Sequence, residues 1–169
     1  MIDSWDNLLI AIRYFSEHPE YFGMLMNIAL DDQLKNSWRV AWMADKIHDN
    51  HPSLVEPYID RMIDFLQHTA NGSKKRQFLK LISLHPIPED KTGLMLDYCL
   101  KHFTDSIEPI AVRVYAMQVL YNISETEPEF KPELICLIEH EIEYHSSAGI
   151  RSRGGKLLTK LYKQTNKLG

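Results

Sequence analysis

The sequence predicts an all-α fold, an α-solenoid of stacked antiparallel helix pairs, and three observations predict it. Apolar residues recur every three to four positions over ten to fifteen residues, between breaks at Pro, Asn, Asp and Gly. Val, Ile and Thr do not fall in the alternating runs that a strand requires. Arg39, Arg76 and Arg113 lie thirty-seven residues apart, and Arg151 follows after thirty-eight. A fixed period in the thirties carried by a helical unit marks a repeat array, and short turns between similar helices make neighbours antiparallel. The 169 residues read as a single repeat domain, 1–169, long enough to bury a continuous core.

The first helix starts at Asp3 or Ser4, either of which can cap free amides, and presents Trp5, Leu8, Leu9, Ile12 and Phe15 on one face. His18-Pro19 ends it and opens a second helix lined by Phe22, Leu25, Met26 and Ala29. Ser37 is the expected cap of a helix carrying Trp38, Arg39, Ala41, Trp42 and Ile47. The turn at Asp49-Asn50-His51-Pro52 leads to a helix over 55–68 with Pro57 in its first turn and Tyr58, Ile59, Met62, Phe65 and Leu66 inside. After Asn71-Gly72, Ser73 is expected to cap a helix with Arg76, Leu79 and Ile82. His85-Pro86-Ile87-Pro88 stops that helix, and Leu94, Leu96, Cys99, Leu100 and Phe103 mark its partner. Ser106 begins the Arg113 helix and Glu127-Pro128 closes it; Pro132 opens the next, with Leu134, Leu137, Ile138 and Ile142 inside. Ser146-Ser147 leads into a terminal basic helix over 149–165.

Within the Arg113 helix, Val112-Arg113-x-x-Ala116-x-x-x-Leu120 resembles the second-helix pattern of HEAT repeats, V-R-x-x-A-x-x-x-L. Arg39-x-x-Trp42, Arg76-x-x-Leu79 and Arg151-x-x-Gly154 are looser copies that depart at the alanine, so the likeness spans about 36–165 by period and one unit by motif. An armadillo-like superhelix is the alternative of the same class. The resemblance implies that the arginine-bearing helices line a concave surface and that an acidic residue shortly before each joins a ladder with the arginine. Asp32 and Asp105 would take that part for Arg39 and Arg113; before Arg76 stands only Asn71.

Charge follows the same division. The whole chain is −4, yet segments 36–48, 73–85, 108–123 and 147–168 hold thirteen Lys and Arg against Asp45 and Glu108, which leaves −15 on the rest. Either the helix surfaces are merely solvated, or a basic helix layer holds an acidic surface or peptide of a protein partner. The candidate layer comprises Arg39, Lys74, Lys75, Arg76, Lys80, Arg113, Arg153, Lys156, Lys160 and Lys163. In the last helix Arg153, Lys156, Lys160, Lys163 and Lys167 form one stripe, beside an apolar face of Ile150, Leu157, Leu161 and Leu168 that also holds Gly154. The competing reading is a polar cap that keeps a terminal repeat in solution. Lys74-Lys75-Arg76 oppose the dipole at a helix N-terminus, a misfit that a bound anion would relieve.

Trp38 and Trp42 share a helix face beside Arg39 and Lys46, where aromatic rings stack a base or simply fill the core. With Asp45 they are similar in kind to residues of HEAT-like DNA alkylation-repair glycosylases, which makes nucleic acid the alternative partner. Their spacing matches no motif of that family, so no catalytic residue is carried over.

No nucleophile motif, glycine-rich phosphate loop or dinucleotide fingerprint is present, which points away from an enzyme, and neither a cofactor nor a small-molecule substrate is expected. Cys99 and Cys136 form no metal-ligand spacing and no disulfide framework. In His140-Glu141-Ile142-Glu143-Tyr144-His145 the two histidines are five apart, and on a helix they would diverge by about 140°, so no metal site is expected. The N-terminal residues do not form a secretory signal, and no apolar stretch reaches the ~20 residues of a membrane span, so the expected setting is cytoplasmic and reducing.

Overall fold

The computed structural model describes residues 4–145 and 147–165. Every regular element among these residues is a helix. The chain divides into two compact units, Met1–Ile87 and Pro88–Gly169.

The first unit contains α1 (Trp5–Glu17), α2 (Phe22–Ala29), α3 (Ser37–His48), α4 (Ile59–Leu66) and α5 (Gly72–Ile82). Helix α3 packs against α2, α5 and α1, and α4 packs on α5. Helix α3 packs chiefly on the helix that precedes it, whereas α5 lies against both α3 and α4. Two apolar stripes meet at the centre, Phe22, Leu25, Met26 and Ala29 of α2 against Ala41, Met43, Ala44 and Ile47 of α3. Ile59, Met62, Ile63 and Leu66 of α4 cover Phe78, Leu79 and Ile82 of α5 in the same way. Each buried side chain of this size contributes about 1.5–3 kcal/mol relative to its exposed state.

Prolines shape the helix entries. Pro19, Pro52 and Pro57 fall in short 3-10 turns, Pro19–Tyr21, Pro52–Leu54 and Glu56–Tyr58, so α4 begins at Ile59 rather than at 55. The residue before Pro19 and Pro52 is extended in φ, −125° at His18 and −134° at His51, because a proline ring disfavours helical backbone in its predecessor.

Caps differ from the expected ones. Ser4 caps α1, accepting from the Asn7 amide at 3.2 Å, while Asp3 lies outside the described residues. Ser37 is the first helical residue of α3, and its hydroxyl instead donates to the Asp31 carbonyl at 2.8 Å. Asn71, not Ser73, caps α5, its side chain accepting from the amides of Ser73 and Lys74. Of the expected inner face of α1 only Leu8 is buried; Trp5 and Leu9 remain 63% and 58% exposed. Among the described residues helix α1 has α3 as its main helical neighbour, which leaves its Trp5 and Leu9 side exposed.

The second unit contains α6 (Thr92–Thr104), α7 (Ile110–Thr126), α8 (Lys131–Tyr144) and α9 (Ala148–Thr165). Helix α7 is its centre and packs against α6, α9 and α8, with α8 also on α9. Val112, Ala116, Val119, Leu120 and Ile123 of α7 are buried with Cys99 and Phe103 of α6, Leu134 and Ile138 of α8, and Ile150, Leu157 and Leu161 of α9. Leu94 stays exposed at the start of α6, and Met95 and Tyr98 take the inner positions instead. Helix α7 starts at Ile110, later than Ser106, because the Asp105 carboxylate accepts from the Ile107 amide at 2.9 Å and holds a turn there.

Candidate functional site

A groove of about 490 Å³ opens between α7 and α9, lined by Gln118, Arg153, Lys156, Leu157, Thr159 and Lys160. Five of these six belong to α9, where steps of three and four place them on one side of the helix. The apolar seam beside them fixes which side that is. Ile150, Gly154, Leu157 and Leu161 are buried, so Lys156 and Lys160 are turned to solvent. Gly154 sets the depth of the contact with α8, since a Cβ there would lie 2.9 Å from Ile142 Cδ1 and 3.0 Å from Ile138 Cγ2.

Within the groove the cations are positioned by neutral groups. Arg153 Nη1 donates to Gln118 Oε1 at 2.7 Å, and Gln118 in turn donates to Asn122 Oδ1 at 2.9 Å. Lys160 Nζ lies 5.4 Å from the centre of the Tyr121 ring. The nearest carboxylate on α7, Glu125, is engaged by Lys131 at 3.0 Å and by the Gln164 amide at 3.0 Å. Burial raises the Glu125 pKa, but the hydrogen bonds from Lys131 and Gln164 and the Lys131 charge outweigh it, and the net shift is downward. The groove lining thus holds three cations and no carboxylate. Lys163 continues the stripe as an exposed residue, and Lys167 and Leu168 lie outside the described residues.

Arg113 has a different role. It is 4% exposed, and its guanidinium makes three contacts: Nε to the Phe103 carbonyl at 2.9 Å, Nη1 to the His145 carbonyl at 3.4 Å, and Nη2 to Glu141 Oε2 at 2.6 Å. Carbonyls at a helix C-terminus lack intrahelical donors, so a cation placed there satisfies them and complements the dipole. One side chain of α7 therefore ties together the ends of α6 and α8. The expected acidic partner Asp105 is instead occupied with its own turn.

Comparison with protein families matches the HEAT repeat domain over residues 4–161. The chain belongs to the HEAT repeat family. HEAT repeats generally serve as protein-interaction scaffolds. No curated protein and no solved structure matches the chain.

In the first unit of this HEAT repeat chain, two of the expected surface cations are spent internally. Lys74 is fully buried; its Nζ donates to Asp32 Oδ1 at 2.8 Å and to the Asp31 carbonyl at 3.0 Å, just past the end of α2. It also sits 4.9 Å from the Phe65 ring centre. Asp32 thus serves Lys74, where the ladder had assigned it to Arg39. Lys80 pairs with the buried Asp45 carboxylate at 2.6 Å. The Gln77 amide donates to the other Asp45 oxygen at 3.2 Å and accepts from Arg76 at 3.0 Å. Lys75 is half-buried and Arg76 exposed at the start of α5. The dipole misfit at Lys74 is relieved by an internal carboxylate and a helix end.

The tryptophans of α3 are half-buried. Trp42 meets the edge of Trp5 with ring centres 5.2 Å apart and has Lys46 at 5.9 Å; Arg39 lies 5.3 Å from the centre of Trp38.

From sequence spacing, one further group is weighed as a metal site and set aside. His140, Glu141 and His145 bring ligand atoms within 4.8 Å of one another. The expected divergence assumed a continuous helix through His145, but α8 ends at Tyr144 and His145 has φ −131°, ψ 39°, which turns its ring back toward Glu141. Among the described residues no helix is long and apolar enough to cross a membrane.

Proposed function

We propose that the α7–α9 groove is the contact surface of a non-enzymatic binding module and that it holds an acidic surface or peptide of a protein partner. One observation carries the reading: three cations converge on a groove whose lining has no carboxylate to neutralise them. By contrast, three of the other candidate cations meet carboxylates, Lys74 at Asp32, Lys80 at Asp45 and Arg113 at Glu141. The groove supplies an apolar floor at Leu157, neutral polar groups at Gln118 and Thr159, and charge at its rim. That combination suits a carboxylate-bearing helix or extended segment, because charged groups steer and orient while the apolar floor supplies desolvated contact.

The test is capture of a partner by the whole chain and by a Lys156→Gln, Lys160→Gln, Lys163→Gln triple variant, each with and without nuclease. The triple variant should fold with a stability change of about 0.5 kcal/mol or less, since all three positions are exposed. Its capture of the partner should fall, and nuclease should leave wild-type capture intact. Equal capture by both chains would make the stripe a solubility cap. Loss of capture on nuclease treatment would favour nucleic acid, which a DNA titration at two salt concentrations then examines, because phosphate contacts give an affinity that drops steeply with salt.

A further inference from the structure

We propose that His140, Glu141 and His145 form a binding site for a transition-metal dication of the Zn²⁺ class, at the C-terminal end of α8 and separate from the basic groove. His140 Nδ1 lies 3.3 Å from Glu141 Oε1 and His145 Nδ1 lies 3.2 Å from Glu141 Oε2. A tetrahedral ion with ligands at about 2.0–2.1 Å needs donors about 3.3 Å apart. The imidazoles approach the two different oxygens of the carboxylate, and with all ligand atoms within 4.8 Å of one another small rotations of the exposed rings bring them onto one ion. Two imidazole nitrogens and a carboxylate select Zn²⁺, Ni²⁺ or Cu²⁺ over Mg²⁺ or Ca²⁺, which prefer oxygen.

The site has the inner order that a metal site requires. Glu141 is 2% exposed, and its carboxylate is held by the Arg113 guanidinium at 2.6 Å, an outer contact that fixes its orientation. Arg113 also binds the His145 carbonyl, so the backbone that carries the second imidazole is anchored to the same group. Both imidazoles are open to solvent, with side chains 54% and 41% exposed, so an ion can enter and one position is left for water or a partner's donor. The guanidinium next to the carboxylate cancels its charge, which sets the affinity below that of a closed structural site.

The test uses the whole chain with Cys136→Ser, which removes the exposed thiol as a competing ligand. Calorimetric titration with ZnCl₂ should show one saturable equivalent. His140→Ala and His145→Ala should each weaken it by more than about tenfold, the loss that even an outer-shell partner causes. Imidazole ¹⁵N spectra should show the His140 and His145 ring nitrogens shifting with Zn²⁺ while those of the half-buried His102 stay in place. Both alanine variants alter exposed side chains, and circular dichroism checks that they fold. Absence of saturable binding, or the same binding in the His140→Ala, His145→Ala double variant, would overturn the proposal.

Discussion

At the scale of single residues, burial decides whether a cation holds the fold or faces a partner. Arg113 and Glu141 are both buried and paired at 2.6 Å, so removing one strands the other. Arg113→Ala should lower stability by about 3–5 kcal/mol in urea denaturation. Arg113→Lys should recover part of that loss, since a point charge still faces Glu141 but cannot reach two carbonyls as well. Titration gives a second residue-scale prediction. His48 Nε2 lies 2.9 Å from His85 Nε2, and burial first, then the His85 charge, depresses the His48 pKa below 6.5. The unfolded chain binds that proton more tightly, so the associated stability is present above pH 6.5 and is lost as pH falls through the lower folded value. Urea midpoints measured from pH 7.5 to 5 should fall, and less so in His48→Gln. Equal slopes in the two chains would contradict the assignment. The motif around Arg113 was legible because its arginine and alanine lie on a recognisable pattern. Lys74 was not: the period selects Arg76, two positions and about 200° away around the helix, while burial and Asp32 select Lys74.

At the scale of elements, adjacent glycines in α9 should respond in opposite directions. Gly155 has nothing within 4 Å of an added Cβ, so Gly155→Ala should gain up to about 1 kcal/mol of helix propensity. At Gly154 an added methyl meets Ile138 and Ile142 of α8. Overpacking of about 1–3 kcal/mol offsets that gain, so Gly154→Ala should be neutral to destabilising. Thermal denaturation of the two variants compares them directly, and a stabilised Gly154→Ala would show that α8 and α9 are not so closely packed. The inner face of α9 was readable from spacing alone, because Ile150, Leu157 and Leu161 fall on one side of an uninterrupted helix. Boundaries were less so. At α4 two 3-10 turns delay the helix, and at α5 and α7 local carboxamide and carboxylate hydrogen bonds compete with serine caps. Helix α1 misled for another reason: amphipathic spacing shows which residues share a face, not whether a neighbour exists to cover it.

At the scale of the whole molecule, the all-α repeat class follows from periodicity, the Arg113 motif resembles the HEAT pattern, and the family match over 4–161 shows the family. Function was harder to read. A count of +11 on the arginine-bearing segments treats every cation alike, yet Lys74, Lys80 and Arg113 answer internal carboxylates. What distinguishes Arg153, Lys156 and Lys160 is the groove they share with Gln118, and that depends on how α7 meets α9. Integrity of this packing can be separated from the charge it displays: Leu157→Ala should cost about 2–5 kcal/mol through a buried cavity, whereas the lysine substitutions should leave the fold intact. The most direct measurement places a photo-crosslinking amino acid at Thr159, which lines the groove, and in a second chain at the exposed Asp97 of α6. The account predicts a covalent adduct with an acidic protein segment from Thr159, weakened by added salt and absent from Asp97. No adduct at Thr159, or the same adducts from both positions, would contradict it.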